Sequence, residues 1–544
     1  MKKNTFVEGT IFASLSYLIM KILGAVYVIP FYAIVGALGG ALYSYAYTVY
    51  SLIINMCTIG IPNAISKIVS EYNTLEMYEA KERTLKTGNK LVAIMSTILF
   101  LVMFIFAKPM AYLFIGNLDS TGNSIEDVVL VIRSISFCLL IVPYLAIKKG
   151  YLQGQKFVTV TSNSEVIEQF IRVTIIIVGS YLAIKVFKLS TGVGVAIALL
   201  GAFFAGIIAF IYLSIKIKRN KDKINLPKEK QRDKVSDKTI LNKIIKFSLP
   251  LMVISIATDL YCMTDLSLVI RGLTYLGYNG ASAETIASVI STWAIKICSI
   301  ANAVTFGLCI NIIPHMVSDY IKKDFKSINN QFIKSLGIAF VVGFPMSVGI
   351  SLLSHEVYLL FYGASEYGGI ILRLLPYAIF MSNINLVINS VLQSLNKYKV
   401  IYLSTIVGLA TNAILDIPLM ILCSKIGIYT YYGAIMATLI GSSLSVFISL
   451  RSLKKSMNFK YIGLLNIIKK ELLPLLAMIV VVLTTQHFIK DLFTGRVIMI
   501  VPCIIYALLG AIVYGFISYK TGLLYDVLGN EYIDSILRKL RLKK

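Results

Sequence analysis

Ionisable side chains inside long apolar runs are the residues of this chain best suited to chemistry. Lys21 stands within Ser14 to Gly40, SLSYLIMKILGAVYVIPFYAIVGALGG, and Lys296 within the apolar run 285–312. A lysine well inside a membrane helix costs roughly 2.5–3.5 kcal/mol on insertion scales, so each is expected to face water, a bundle interior or an anionic ligand. Neither has an acidic residue within one turn of its own helix. The first half adds Arg133, Glu165, Glu168 and Arg172, and the second adds Asp259, Asp265 and Asp416. Glu168 and Arg172, spaced i, i+4, can neutralise each other on one helix face, which makes a structural pair as good a reading as a substrate contact. Arg133, near the outer end of its run, either snorkels to the interface or faces a cavity. Lys67 and Arg271 sit at the ends of runs, as interfacial anchors or as portal residues.

A second constellation is chemically different. Asn412 and Asp416 are spaced i, i+4, and Ala434 and Thr438 repeat that spacing in the next run. Together with Asp265 or Asp259 they would offer hard oxygen ligands to a small cation such as Na⁺. An inter-helix hydrogen-bond cluster is the competing reading, and spacing alone does not separate the two. No catalytic pattern accompanies them: GxSxG, P-loop and HExxH are absent from the sequence, so neither an enzyme nor an ATP-driven pump is expected. The seven cysteines lie in or beside apolar runs without metal spacing and read as small packing residues. Three scattered histidines speak against a metal centre.

The elements that must position these groups are membrane helices. The chain of 544 residues is 57% hydrophobic and only 15% charged, with a mean hydropathy of +0.80. Soluble domains carry about 25% charged residues, so an all-α polytopic membrane protein is expected. Apolar runs of spanning length centre near 6–36, 40–65, 90–107, 127–147, 157–184, 192–215, 246–270, 285–312, 331–354, 369–393, 398–423, 431–450, 471–489 and 497–519. They predict about fourteen transmembrane helices. The first run is too long for the apolar core of a cleavable signal, and no A-x-A site follows it.

Connections alternate in charge. One side holds about 40 of the 52 Lys and Arg, which by the positive-inside rule makes it cytoplasmic and puts both termini there. The formal net charge of +25 is then a feature of the membrane face, set against anionic lipids, and no nucleic-acid partner is expected. The lysine-rich stretch 216–247 follows the sixth run, as a cytoplasmic linker between two lobes would. Mixed charges at helical spacing over Glu71–Lys90 predict a cytoplasmic helix there, lying along the interface or simply solvated.

An internal repeat supports two lobes. Pro143-Tyr144 with Leu152-Gln153 is echoed by Pro376-Tyr377 with Leu392-Gln393, and Ser70-Glu71-Tyr72 by Ser318-Asp319-Tyr320. Gly194-Val195-Ala196-Ile197-Ala198 is echoed by Gly433-Ala434-Ile435-Met436-Ala437. The shared order and similar offsets predict a parallel repeat of six plus six helices with two more at the C-terminus. The expected organisation is 1–215 (first lobe), 216–245 (linker), 246–451 (second lobe), 452–520 (the last two helices) and 521–544 (basic tail).

Several stretches carry a family resemblance. They are Lys21-x-Leu23-Gly24 with Phe31 and Gly36 through Gly40, and Ile61-Pro62-Asn63-Ala64-Ile65-Ser66-Lys67. Val142-Pro143 through Gln153-Gly154, Glu168-Gln169 with Arg172, Phe306-Gly307-Leu308 with Ile313-Pro314, and Phe361-Tyr362-Gly363 complete the set. Over nearly the whole chain this resembles the polysaccharide-exporter branch of the MATE/MOP superfamily, above all its lipid II flippases of the Gram-positive MurJ type, close to the sporulation branch. The resemblance implies two six-helix lobes in a V and two C-terminal helices lining a groove for a lipid tail. It implies a bacterial cytoplasmic membrane protein that exports an undecaprenyl-pyrophosphate-linked sugar-peptide, lipid II, beside partners in cell-wall synthesis. It also implies a cationic cavity in which arginines of helices one and eight hold the pyrophosphate. Lys21 and Lys296 stand at what look like those positions, with Arg172, Lys67 and Arg133 as further candidates; lysine keeps the charge but lacks the bidentate fork. A sodium site of helix-seven Asp, helix-eleven Asn-x-x-x-Asp and helix-twelve Thr is implied too, fitting Asn412, Asp416 and Thr438 with Asp265 preferred to Asp259. Other lipid-linked cargo (teichoic acid, capsule, spore cortex) is the alternative within the family. A MATE-type drug antiporter fits Lys21 poorly, and a non-transporting cell-wall scaffold would make the cavity charges dispensable.

Overall fold

The apolar runs fold as helices where their hydropathy marks them. A computed structural model describes residues 22–24, 26–58, 60–116, 121–220, 235–299, 324–489 and 498–528, with the single positions 16, 19, 20, 316, 319, 320 and 496. Lys21, Phe306 to Leu308, Ile313 and Pro314, residues 221–234 of the linker and the tail 529–544 lie outside the described residues. Among the described residues there is no strand. The helices in order are α1 (Val28–Thr58), α2 (Gly60–Thr74), α3 (Tyr78–Ile105), α4 (Ala107–Ile115), α5 (Ile125–Ser136), α6 (Val142–Gly154), α7 (Val158–Thr174), α8 (Thr191–Arg219) and α9 (Asp237–Tyr275). They continue as α10 (Gly280–Ser288), α11 (Phe325–Leu352), α12 (Ser354–Tyr362), α13 (Gly368–Ser394), α14 (Tyr398–Lys425), α15 (Tyr432–Met457), α16 (Ile462–Ile489), α17 (Ile500–Lys520) and α18 (Leu523–Leu528).

Eleven helical stretches among the described residues are long and apolar enough to cross a membrane, and one of them, Ile22–Asn73, covers the first two expected spans. Between the first two expected spans, 6–36 and 40–65, the structure has a kink at one residue: Gly36 has φ 71° and ψ −173°. Only a residue without Cβ adopts that shape at low cost, and helix resumes directly after it. α9 matches the seventh expected span, and the eighth is described as far as Ser299. Exposed apolar side chains recur at helical spacing, as in Ile94, Ile98, Leu101 and Ile105 of α3 or Ile504, Leu508, Ile512 and Phe516 of α17. Such stripes are stable where the surroundings are lipid. The protein is a multi-pass, all-helical membrane protein.

One expected helix is absent. Over Glu71–Lys90, α2 ends at Thr74, a turn with Glu76 at φ 58° follows, and α3 takes the remainder. The charged residues therefore extend two membrane helices instead of forming one of their own. Two of them hold the start of α9: Glu71 accepts from Lys243 Nζ at 2.8 Å and Arg83 Nε donates to Asp237 at 2.8 Å. The hydrogen bond with Glu71 raises the Lys243 pKa above its usual value.

Contacts divide the chain into two units, Met1–Ser288 and Val289–Lys544. In the first, Ile61, Ile65, Ile68 and Tyr72 of α2 pack with Leu145, Tyr151 and Leu152 of α6 and with Ile240 and Ile244 of α9. Gly150 and Gly154 let α6 approach α2 so closely that added Cβ atoms would strike the carbonyls of Pro62 and Ser66. In the second, Val341 and Val348 of α11 share a core with Ile467, Leu475 and Met478 of α16 and Tyr506 and Tyr514 of α17.

Candidate functional site

In the second unit, Lys296 follows a buried π-helical turn, Val289–Trp293. Its ammonium lies 4.2 Å from the Trp293 ring centroid. The Trp293 carbonyl accepts from the Tyr362 hydroxyl at 2.7 Å, and the two rings meet edge to face at 5.7 Å. A cation–π contact stabilises an ammonium without itself neutralising it.

The second-unit oxygen cluster is formed by α14 and α15. Asn412 and Asp416 are fully buried and Thr438 is nearly so. Asn412 Nδ2 donates to Asp416 Oδ1 at 3.4 Å and to Thr438 Oγ1 at 3.1 Å. Gly433, Ala437 and Gly441 make a small-residue stripe at i, i+4, i+8 on α15. A Cβ on Gly441 would stand 2.6 Å from the Gly408 carbonyl, and one on Gly433 would collide with the α14 backbone at Leu419 and Met420. That close approach brings Thr438 to the Asn412 amide of α14. A carboxylate, an amide and a hydroxyl are hard donors of the kind Na⁺ takes. Turning the Asn412 amide over would replace its NH₂ by its oxygen.

In the first unit, Glu168 of α7 pairs with Arg172 one turn on and with Lys149 of α6, whose Nζ donates to Glu168 Oε2 at 2.8 Å. Glu165 stands 3.9 Å from the same ammonium. A small cavity beside this cluster is lined by Tyr43, Tyr47, Tyr50 and Arg172. Asp259 of α9 accepts from Asn55 Nδ2 of α1 at 2.7 Å, while Asp265, further along the same helix, is buried. Lys67 is exposed with its ammonium 4.1 Å over the Phe247 ring. Arg133 is exposed and donates from Nε to the Phe104 carbonyl at 3.3 Å. Arg271 donates to the Leu113 carbonyl at 3.0 Å. Of the expected site residues, Asn412, Asp416 and Thr438 come together; Lys67, Arg133 and Arg172 occupy three different places in the first unit.

A model of the family described as Polysaccharide biosynthesis protein matches residues 6–306, more than half of the chain. The chain belongs to that family. Its similarity to one member is nearly end to end: it is 29% identical to the Lipid II flippase MurJ of Bacillus subtilis (strain 168), over 99% of each chain. Among solved structures, a lipid II flippase MurJ in an inward closed conformation superposes with a TM-score of 0.61 at 16% identity, over 96% of this chain and 100% of that one. An inward-facing multidrug resistance MATE transporter of the MOP superfamily superposes at 0.62 and 14% identity, over 80% and 96%. At these identities the two structures establish a shared fold, the MATE/MOP fold.

Four partners within this family member escape a reading of the sequence. Lys149 looks like a loop lysine in Lys148-Lys149-Gly150, and Trp293 like core. Glu284 is buried and accepts from the backbone and side-chain amides of Asn123, 161 positions away. Glu471 of α16 is buried against the Tyr514 hydroxyl of α17 at 3.4 Å. Only Glu471 left a trace, as a carboxylate at the edge of an apolar run.

Proposed function

We propose that this protein carries an undecaprenyl-pyrophosphate-linked peptidoglycan precursor, lipid II, from the inner to the outer leaflet of the bacterial cytoplasmic membrane. The similarity to the Bacillus subtilis flippase over both whole chains carries the reading. A pyrophosphate cannot cross roughly 30 Å of hydrocarbon unaided, so the transporter must supply cations at depth. Lys296 on its aromatic seat is a described candidate, and Lys21 its proposed counterpart. Loading cancels repulsion among cavity cations and lets the two lobes exchange inward-open and outward-open states. Both termini are then cytoplasmic, and the polyprenyl tail stays in lipid beside α16 and α17. Membrane potential, worth about 2.3 kcal/mol per charge per 100 mV, helps to reset a positively charged empty cavity. Asn412, Asp416 and Thr438 would hold a Na⁺, whose charge supplies coupling to an ion gradient. The protein acts as a transporter and forms or breaks no bond in its cargo.

The family description also covers other lipid-linked saccharides, so another such cargo is the second reading. In cells depleted of this protein, newly made lipid II should stay inaccessible to an externally added lipid II-cleaving enzyme. Normal outer-leaflet lipid II together with loss of capsule or teichoic acid would favour the second reading.

A further inference from the structure

We propose that Trp293 is the resting seat of the Lys296 ammonium, and that an incoming pyrophosphate draws the ammonium off the indole face. The inference rests on the flippase reading and adds a positioning residue to it.

Three observations carry it. Trp293 is the chain's single tryptophan, fully buried, and closes the π-helical turn Val289–Trp293. A π turn shifts the helical register, and here Lys296, three residues on, stands over its ring at 4.2 Å. Indole is the ring that binds cations best. The residue is itself held: the Tyr362 hydroxyl donates to the Trp293 backbone carbonyl at 2.7 Å. The Tyr362 ring contacts Trp293 at 5.7 Å and Tyr358 at 4.9 Å, and all three aromatics are buried. Tyr358 and Tyr362 belong to α12, so the lysine's position is tied to a second helix of the same unit. An aromatic face holds the ammonium and keeps it cationic, and a phosphate oxygen, as a charge-assisted acceptor, outcompetes it.

Because the chain has one tryptophan, its emission in detergent micelles reports on the surroundings of this ring alone. The empty wild type and Lys296→Met should differ in Trp293 emission. Undecaprenyl pyrophosphate should move the wild-type spectrum towards that of Lys296→Met, saturably, while leaving Lys296→Met unchanged; undecaprenol should move neither. Binding measured separately by native mass spectrometry should weaken about tenfold in Trp293→Leu and be largely restored in Trp293→Phe. Should Trp293→Leu not fold, Trp293→Phe and Lys296→Met still decide the question. Identical emission from empty wild type and Lys296→Met overturns the inference. So does an unchanged wild-type spectrum when mass spectrometry shows lipid bound, or wild-type affinity in Trp293→Leu. A wild type that binds no pyrophosphate lipid by mass spectrometry overturns the flippase reading, and this inference falls with it.

Discussion

Glu168 carries two cations, and that fixes what its loss should do. Lys149 and Arg172 both end on its carboxylate, which is largely buried. Removing one partner of a buried pair costs roughly 3–5 kcal/mol because the remaining charge is left uncompensated. Glu168→Ala should therefore lower the thermal midpoint of the purified protein more than Lys149→Met or Arg172→Met. The triple variant should recover part of the loss. Additive melting shifts across this set would mean that the three residues do not act as one cluster. Asp416 offers a different test. A ligand that binds only the folded state at 100 times its Kd adds about 2.7 kcal/mol of stability. Replacing K⁺ by Na⁺ at constant ionic strength should raise the melting temperature of the wild type, and Asp416→Asn should abolish the rise. Equal midpoints for the wild type in the two salts would leave Asn412, Asp416 and Thr438 as a hydrogen-bond cluster alone.

At the scale of elements, α14 and α15 meet through Gly433, Ala437 and Gly441, and no apolar driving force separates such an interface from lipid. Packing alone must hold it. Gly441→Leu would drive a side chain into the Gly408 carbonyl, and overpacking of this kind costs about 1–3 kcal/mol. The variant should melt lower and lose any Na⁺-dependent stabilisation as Thr438 is pushed from Asn412. A Na⁺ response unchanged in Gly441→Leu would separate the ion effect from this interface. The sequence makes this part legible, because small-residue stripes and Asn-x-x-x-Asp are local patterns. Spans are legible for the same reason, since lipid imposes length and apolarity on each run independently of the others. The break within Glu71–Lys90 is not legible in the same way, because the charges there are periodic while the turn at Glu76 depends on a single positive φ. Lys149 with Glu168, and Asn123 with Glu284, are pairings between helices or loops far apart in the chain. A residue's own neighbours in sequence carry no record of those.

At the scale of the molecule, the proposed alternating access would require that helices now held together come apart. α9 is held to the first helices at several levels: Asp237 by Arg83, Lys243 by Glu71, Asp259 by Asn55, and Ser267 and Arg271 by the Leu113 carbonyl. Beyond its end, Asn123 donates to Glu284 of α10 and to the Leu38 carbonyl, and the Thr121 hydroxyl accepts from the Ala281 amide. A Cβ on Gly122 would stand 2.7 Å from the Glu284 carboxylate, so the loop lies flush on α10. If α9 and α10 move with the second half of the chain during transport, as the repeat predicts, this clasp must open once in every cycle. The two side chains are already in contact, so Asn123→Cys with Glu284→Cys can be bridged by a short thiol cross-linker. The native Cys57, Cys138, Cys298 and Cys423 are free but buried and poorly reached by the reagent, whereas Cys262 and Cys503 are free and half-buried, so these two and Cys309 are first replaced by alanine. A cleavable bridge should stop flippase-dependent growth, and a reductant should restore it, while either single cysteine variant treated alike should grow. Growth at the wild-type rate with the bridge intact would place the 121–124 loop and α10 on one rigid body, and the moving boundary would then lie later in the chain, near the division at Ser288.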